Sequence, residues 1–275
     1  MLSALRLSRV MVHLLWAAVS IRCCFPLLPV KLRRSLKVRW SRQLLDMLGV
    51  RLQCTGAPAT DGLLVSNHVS WLDIYAINAL TATSFVAKDE VRRWPLIGWL
   101  SAQTETIYLQ RGSRAAAMRT KQALVDKLRS RSCIALFPEG TTSAGNGVLP
   151  FHSALFQSAI DAGVEVIPLA LRYTGPDGKP AAAPVYIGET SLWQSLLAIV
   201  GAAGLTVHVD VLPALDPAGG NRRQLAEHAH ALISRCLTHW LEAAPTVNDL
   251  RYLSRHAVAL RNDGALSDRV RRGIA

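Results

Sequence analysis

The sequence predicts an α/β layer architecture, preceded by an N-terminal membrane-docking helix pair. Three observations carry this. From Val50 onward, short apolar runs of strand length alternate with longer segments of helical periodicity, the signature of a layered α/β chain. Some of those runs, such as Ile134-Ala-Leu-Phe137, are continuously apolar, as a strand must be when helices cover both of its faces. Ahead of Val50, apolar and basic residues interleave, a combination that suits a lipid surface better than nucleic acid.

Taken in order, Val10 to Ile21 carries no formal charge and is flanked by Arg6, Arg9 and Arg22. A second apolar run, Cys23 to Val30, contains Pro26 and Pro29 and then meets a basic cluster. Spanning a bilayer takes about 20 apolar residues, which neither run reaches without Arg22, and basic flanks on both sides set no orientation. Lys31 to Gly49 reads as an amphipathic helix, with Leu32, Leu36, Val38, Trp40, Leu44, Leu45 and Leu48 alternating with Lys and Arg. The expectation is two helices lying in, or dipping into, the cytoplasmic leaflet of the inner membrane, with the site facing the cytoplasm. Two alternatives stay open. One is a signal peptide, although no small-residue cleavage site precedes the basic stretch; the other is a single tilted span from Val10 to Val30.

Strands are expected at Val50–Cys54, Gly62–Ser66, Ser84–Lys88, Thr106–Leu109, Cys133–Phe137, Val164–Tyr173, Pro184–Ile187 and Leu205–Leu212. Helices fit Trp71–Leu80, Ser113–Arg129, Ser153–Ala162, Leu192–Ala203 and Arg222–Glu242. This divides the chain into a membrane-associated segment (1–49), a catalytic domain (50–244) and a basic tail (245–275), the tail being either a further surface helix or disordered.

Half of the residues are hydrophobic and only 18% are charged, which is apolar for a soluble enzyme and too interrupted for a polytopic membrane protein. The net charge of +12 is concentrated: residues 1–53 hold ten basic residues against Asp46 alone. A basic end of this kind fits an anionic leaflet, and no nucleic-acid-binding motif accompanies it. The five cysteines are odd in number and lack paired ligand spacing, as expected of unpaired thiols in a reducing compartment.

The chemistry concentrates in four blocks. His68 and Asp73, separated by four residues where a strand runs into a helix, match a base and its orienter: the carboxylate takes the Nδ1 proton and Nε2 is left free to accept one. Ser70-Trp-Leu-Asp73 also fits a capping box, which gives Asp73 a purely structural reading beside the catalytic one. Phe137-Pro-Glu-Gly-Thr141 ends a buried strand; a turn at Gly140 frees backbone N–H groups for an anion, and Glu139 must be exposed or paired. Ile107 to Arg111, followed by Gly112-Ser-Arg114, offers two arginines for a phosphate or carboxylate, or an ordinary solvated surface. Val166-Ile-Pro-Leu-Ala170 has no reactive group and serves only as a wall.

In this order the four blocks resemble the glycerolipid acyltransferase superfamily typified by bacterial 1-acylglycerol-3-phosphate acyltransferase. The likeness covers about residues 60–215, with Lys88, Pro95, Gly98 and Leu149-Pro-Phe151 adding to it. The resemblance implies a mostly parallel central sheet flanked by helices, with an N-terminal membrane-docking helix pair in some bacterial members. It further implies an acyl thioester donor (acyl-CoA or acyl carrier protein), a lysolipid acceptor with a free hydroxyl, and neither metal nor cofactor. It assigns His68 and Asp73 to catalysis, and Asn67, Lys88, Arg111, Arg114, Glu139, Gly140 and Thr141 to substrate binding. Two departures bear on the acceptor. Thr142 stands where the family usually continues with Arg, and Gln110 where an acidic residue often precedes the block's Arg. Lysophosphatidate is the expected acceptor and lyso-ornithine lipid the alternative. A non-catalytic membrane module would leave the dyad and Phe137–Thr141 without a purpose, and a hydrolase would normally show a Gly-x-Ser-x-Gly elbow, which the chain lacks.

Overall fold

The computed structural model describes residues 2–93, 97–109 and 114–243. Seven strands form one sheet: β1 (Val50–Thr55), β2 (Gly62–Ser66), β3 (Thr83–Lys88), β4 (Ile107–Leu109), β5 (Cys133–Leu136), β6 (Val166–Thr174) and β7 (Leu205–Val211). Their order is β1-β7-β6-β2-β5-β3-β4. Every neighbouring pair is parallel except β6 and β7. Strand β2 lies at the centre and all five of its residues are buried, which is why it is apolar without alternation. The edge strand β1 is buried at Val50 and exposed at Arg51 and Gln53.

Among the described residues the α-helices are α1 (Leu2–Cys23), α2 (Val30–Leu48), α3 (Leu72–Leu80), α4 (Ile97–Gln103), α5 (Arg114–Arg129), α6 (Gln157–Ala162), α7 (Leu192–Gly201) and α8 (Arg222–Ala243). On one side of the sheet Val10 of α1, Leu44, Leu45 and Leu48 of α2, Leu72, Ala76 and Ile77 of α3, and Ile199 and Val200 of α7 share one core. Leu124 and Leu128 of α5, Ala159 of α6 and Leu225, Ala226 and Ala229 of α8 fill another. Residues up to Thr238 belong to one compact unit, so α1 and α2 are part of the globular core and not a detached anchor. The expected tail, 245–275, lies outside the described residues.

The N-terminal helix pair is present, and its two members differ. α1 has an outer apolar face: Val12 and Leu15 are 67% exposed, with Leu5, Trp16 and Val19 beside them. It is long and apolar enough to cross a membrane by length and composition. α2 turns several of its basic side chains inward. Arg34 donates to Ser132 Oγ, Lys37 to the carbonyls of Thr83 and Thr104, and Arg42 Nε to the carbonyl of Ala79 at 2.7 Å. Gly49 closes α2 in the left-handed region at φ +76°, and its bare Cα leaves room for the Arg6 guanidinium, which a Cβ there would meet at 2.6 Å.

Two expectations need correction. The run Pro184–Ile187 is not a strand: Val185 N–H closes a turn onto Ala182 O, and Tyr186 N–H bonds Val69 O at 3.0 Å. Its backbone groups are satisfied by a turn and by the loop after β2 rather than by a ladder. The short helix α4 was not expected, because seven residues are too few to show a helical period.

Candidate active site

The site forms where β2 leaves the sheet. Asn67, fully buried, pairs through its amide with both backbone groups of Leu171 on β6, each bond 2.8 Å long. Its side chain thus continues the ladder while its backbone turns away, fixing where His68 begins. Asp73 lies in the first turn of α3, a favourable place for a carboxylate. Its Oδ2 accepts His68 Nδ1 at 2.8 Å, Val69 N–H at 2.7 Å and Ser70 N–H at 3.0 Å. Its Oδ1 accepts the Tyr173 hydroxyl at 2.6 Å. Because an ionised carboxylate only accepts, His68 presents Nδ1–H to it and keeps Nε2 as the basic nitrogen. Among the described residues Nε2 has no partner, and the His68 side chain is 18% exposed.

The capping reading of Asp73 is half realised. Its carboxylate takes Ser70 N–H, but its own N–H bonds the Ser70 carbonyl, and Ser70 Oγ accepts from Leu72 instead. One side chain therefore both secures the helix start and orients the base. Burial, then the adjacent Asp73 charge, holds the Tyr173 phenol well above its ordinary value, so it remains a donor.

Phe137, at the end of β5, stacks on the His68 ring with centroids 3.8 Å apart and planes 7° from parallel. The chain then turns at Gly140, φ +69°, where Gly140 N–H closes onto Phe137 O at 3.0 Å. Glu139, only 4% exposed, accepts His68 N–H on Oε1 at 2.8 Å and Leu149 N–H on Oε2 at 3.0 Å. Burial raises its carboxyl above the ordinary range, and those two amides partly offset the rise. Each oxygen of Glu139, a residue expected to touch the acceptor, accepts one amide, and together they tie the β2 and Leu149 loops to each other. The loop closes over His68 through Ser143, whose N–H reaches His68 O at 2.7 Å, while the Thr142 hydroxyl donates to Tyr186 O.

The structure thus gathers Asn67, His68, Asp73, Glu139, Gly140 and Thr141 at the ends of β2 and β5. Lys88 ends β3, beyond β5 at the same sheet edge, exposed and in register with Leu109. Arg111 lies outside the described residues, as does the side chain of Arg114, the first residue of α5. Sequence reasoning missed Tyr173, which carries no local signal a hundred positions from its partner. It also missed the link between Trp71 Nε1–H and Ser195 Oγ, 3.0 Å, which ties the dyad loop to α7.

A cavity of about 840 Å³ lies among α1, α2, α3, α4 and β3, lined by Ala17, Leu36, Ile74, Tyr75, Phe85 and Leu100 among others. That is within the ~300–1,000 Å³ usual for small-molecule sites. Phe85 forms its wall and also stacks on Phe137 at 5.8 Å, so the cavity and the dyad share a partition.

A free imidazole nitrogen held by a buried carboxylate stands at the carboxyl ends of parallel strands where the order switches direction, an arrangement suited to drawing a proton from a hydroxyl. The chain belongs to the acyltransferase family: the model of that family matches residues 51–172, and curated members cover most of the chain. It is 40% identical to the 1-acyl-sn-glycerol-3-phosphate acyltransferase of Neisseria meningitidis over 68% of this chain and 74% of that one. It is 36% identical to the lyso-ornithine lipid O-acyltransferase of Pseudomonas aeruginosa over 78% of this chain and 82% of that one. The fold is that of the lysophosphatidate acyltransferase PlsC from Thermotoga maritima, with a TM-score of 0.61, 19% identity, and coverage of 88% of this chain and 99% of that one. The protein is accordingly an acyltransferase.

Proposed function

We propose that the protein transfers a fatty acyl group from acyl-CoA or acyl carrier protein to the free hydroxyl of 1-acylglycerol-3-phosphate, giving phosphatidate. The observation that carries this is the His68–Asp73 pair with Nε2 unpartnered among the described residues. His68 Nε2 takes the hydroxyl proton as that oxygen attacks the thioester carbonyl. The tetrahedral intermediate collapses with cleavage of the C–S bond, and the imidazolium returns its proton to the thiolate. Asp73 stabilises the imidazolium and, with Tyr173, fixes its plane; such base catalysis contributes roughly 10²–10⁴-fold. Because Gly140 N–H is spent on Phe137 O, the oxyanion falls to the amides of Thr141 and Thr142, for which the described residues supply no acceptor. Asn67 and Glu139 act by holding His68 in place. Lys88, Arg111 and Arg114 are the cations for the acceptor head group. The cavity beside Phe85 takes an acyl chain, for which its aliphatic and aromatic lining is suited.

A second acceptor is favoured by one observation. Thr142 turns its hydroxyl onto Tyr186 O and offers no charge to a phosphate, which suits the amino-acid head group of lyso-ornithine lipid. In either case α1 lies in the plane of the cytoplasmic leaflet. Arg6 near its start bonds the carbonyls of Val200 and Ala202, and Ile21 near its end is buried in the protein, so α1 is fastened to the domain at both ends.

The test is mass spectrometry of products from purified protein with either thioester donor and both acceptors in competition. Phosphatidate as product supports the first reading, and exclusive acylation of the ornithine acceptor moves the enzyme to the second. Thiol release without any acceptor would instead mark a hydrolase. His68→Ala should lower turnover at least 10²-fold while still binding vesicles; retained turnover overturns the mechanism.

A further inference from the structure

Catalysis leaves one helix unexplained. α7 contains no charged residue from Leu192 to Gly201, yet Trp193 is 53% and Leu197 44% exposed. These residues are one helical turn apart and therefore share a face, and Ile187, on the approach to α7, is exposed as well. The helix is rigidly started by a reciprocal capping box, Ser191 Oγ accepting Gln194 N–H and Gln194 Oε1 accepting Ser191 N–H.

We propose that α7 is a second lipid-inserting helix, its Trp193 and Leu197 entering the interface of an anionic phospholipid bilayer beside the outer face of α1. This rests on the membrane reading given above for α1. The two helices adjoin: Arg6 of α1 donates to Val200 O at 3.2 Å and Ala202 O at 3.0 Å, the carbonyls at the end of α7. Both bury their inner faces, through Val10 and through Ile199 and Val200, in the same core. Their opposite faces therefore look outward from the same side of the sheet. An aromatic ring with a polar N–H beside an aliphatic side chain is the composition that settles at a headgroup boundary.

The occupant is a bilayer rather than a second copy because of the charges that the two N-terminal helices expose. Arg9, Arg22, Lys31 and Arg39 are exposed on α1 and α2. A self-complementary dimer through this surface would bring two such sets together, whereas an anionic leaflet attracts them.

The placement has a direct consequence for catalysis. Ser195, on the buried side of α7, accepts Trp71 Nε1–H two residues before Asp73. Tyr186, just upstream of Ile187, holds both Val69 and Thr142. An inserted α7 therefore sets the height of the dyad above the leaflet, and a lysolipid reaches His68 without leaving the bilayer.

The experiment is cosedimentation of the full chain with vesicles of phosphatidylethanolamine and phosphatidylglycerol, comparing wild type, Trp193→Asp/Leu197→Asp and Leu15→Asp/Trp16→Asp. The α7 pair should partition about tenfold more weakly than wild type. Trp193→Phe supplies a measurement that does not depend on tolerating a charge. With brominated lipids, the difference in fluorescence quenching between it and wild type isolates one ring, and that ring should be quenched. If the α7 pair binds like wild type, or the difference is nil, the inference is overturned. Loss of binding in the α1 pair alone then leaves the membrane reading standing, whereas undiminished binding in both pairs removes it too. A dimer abolished by the α7 pair would assign the face to a second copy and equally overturn the proposal.

Discussion

At the scale of single residues, the site depends on one carboxylate with every oxygen occupied. Asp73 takes two backbone amides and His68 Nδ1 on Oδ2, and Tyr173 on Oδ1. Through these bonds it orients His68 and holds it still. Tyr173 is therefore a positioning residue. Tyr173→Phe leaves Oδ1 without its donor inside the protein, a loss of roughly 1–3 kcal/mol. The expected result is a fall of about tenfold in kcat with little change in acceptor KM, measured by steady-state kinetics at fixed donor concentration. A variant that changed KM alone would place Tyr173 in binding instead. Asn67 works the same way at longer range. Asn67→Ala strands both backbone groups of Leu171, and the urea midpoint should fall by an amount worth roughly 1–3 kcal/mol.

At the scale of elements, α2 is a core helix despite its charges. Lys37 donates to Thr83 O at 2.8 Å and Thr104 O at 3.2 Å. Burial lowers its ammonium to about 8, against a smaller upward pull from Glu105. A cation whose folded value lies below its unfolded one binds fewer protons in the native state between the two values. Stability therefore rises with pH from about 8 toward the ordinary lysine value. Lys37→Met should flatten that rise, seen as a shrinking pH dependence of the unfolding midpoint between wild type and variant. Much of this layer was legible in the sequence. Gly62–Ser66 is a strand with the expected limits, because a wholly apolar run bounded by a glycine has no other good use in an α/β chain. The dyad was legible too, since its members are close in sequence. Tyr173 was not: its contact is made by the sheet, which sets β6 beside β2. Nor could Pro184–Ile187 be told from a strand, because only the folded loops after β2 and β5 supply the partners of Tyr186. The inward turn of Arg34, Lys37 and Arg42 was equally hidden, since an acceptor on a distant part of the chain has no local signature.

At the scale of the whole molecule, the segment proposed to face lipid is also structural. Val10, Ala17 and Ile21 of α1 are buried against the protein, and full burial of a large aliphatic side chain contributes about 1.5–3 kcal/mol. Deleting residues 2–23 should therefore lower the thermal midpoint and expose apolar surface, read by calorimetry and dye binding in detergent. A detachable anchor would leave the midpoint where it was. The catalytic centre and the membrane face are joined in the same way, by Trp71 to Ser195 and by Arg6 to the end of α7.

The edge strand β1 takes on meaning in that setting. Confinement to a leaflet turns a dilute solute into a crowded two-dimensional population, all held at one height and free to collide rim to rim. An open sheet edge is then a standing invitation to pair with a neighbour, and the sheet has two, β1 and the short β4. β1 offers exposed Arg51 and Gln53 along its rim, and charged, polar rims discourage such pairing. On the membrane reading proposed above, the basic character of residues 1–53 thus keeps neighbouring molecules apart as well as drawing each one to the surface.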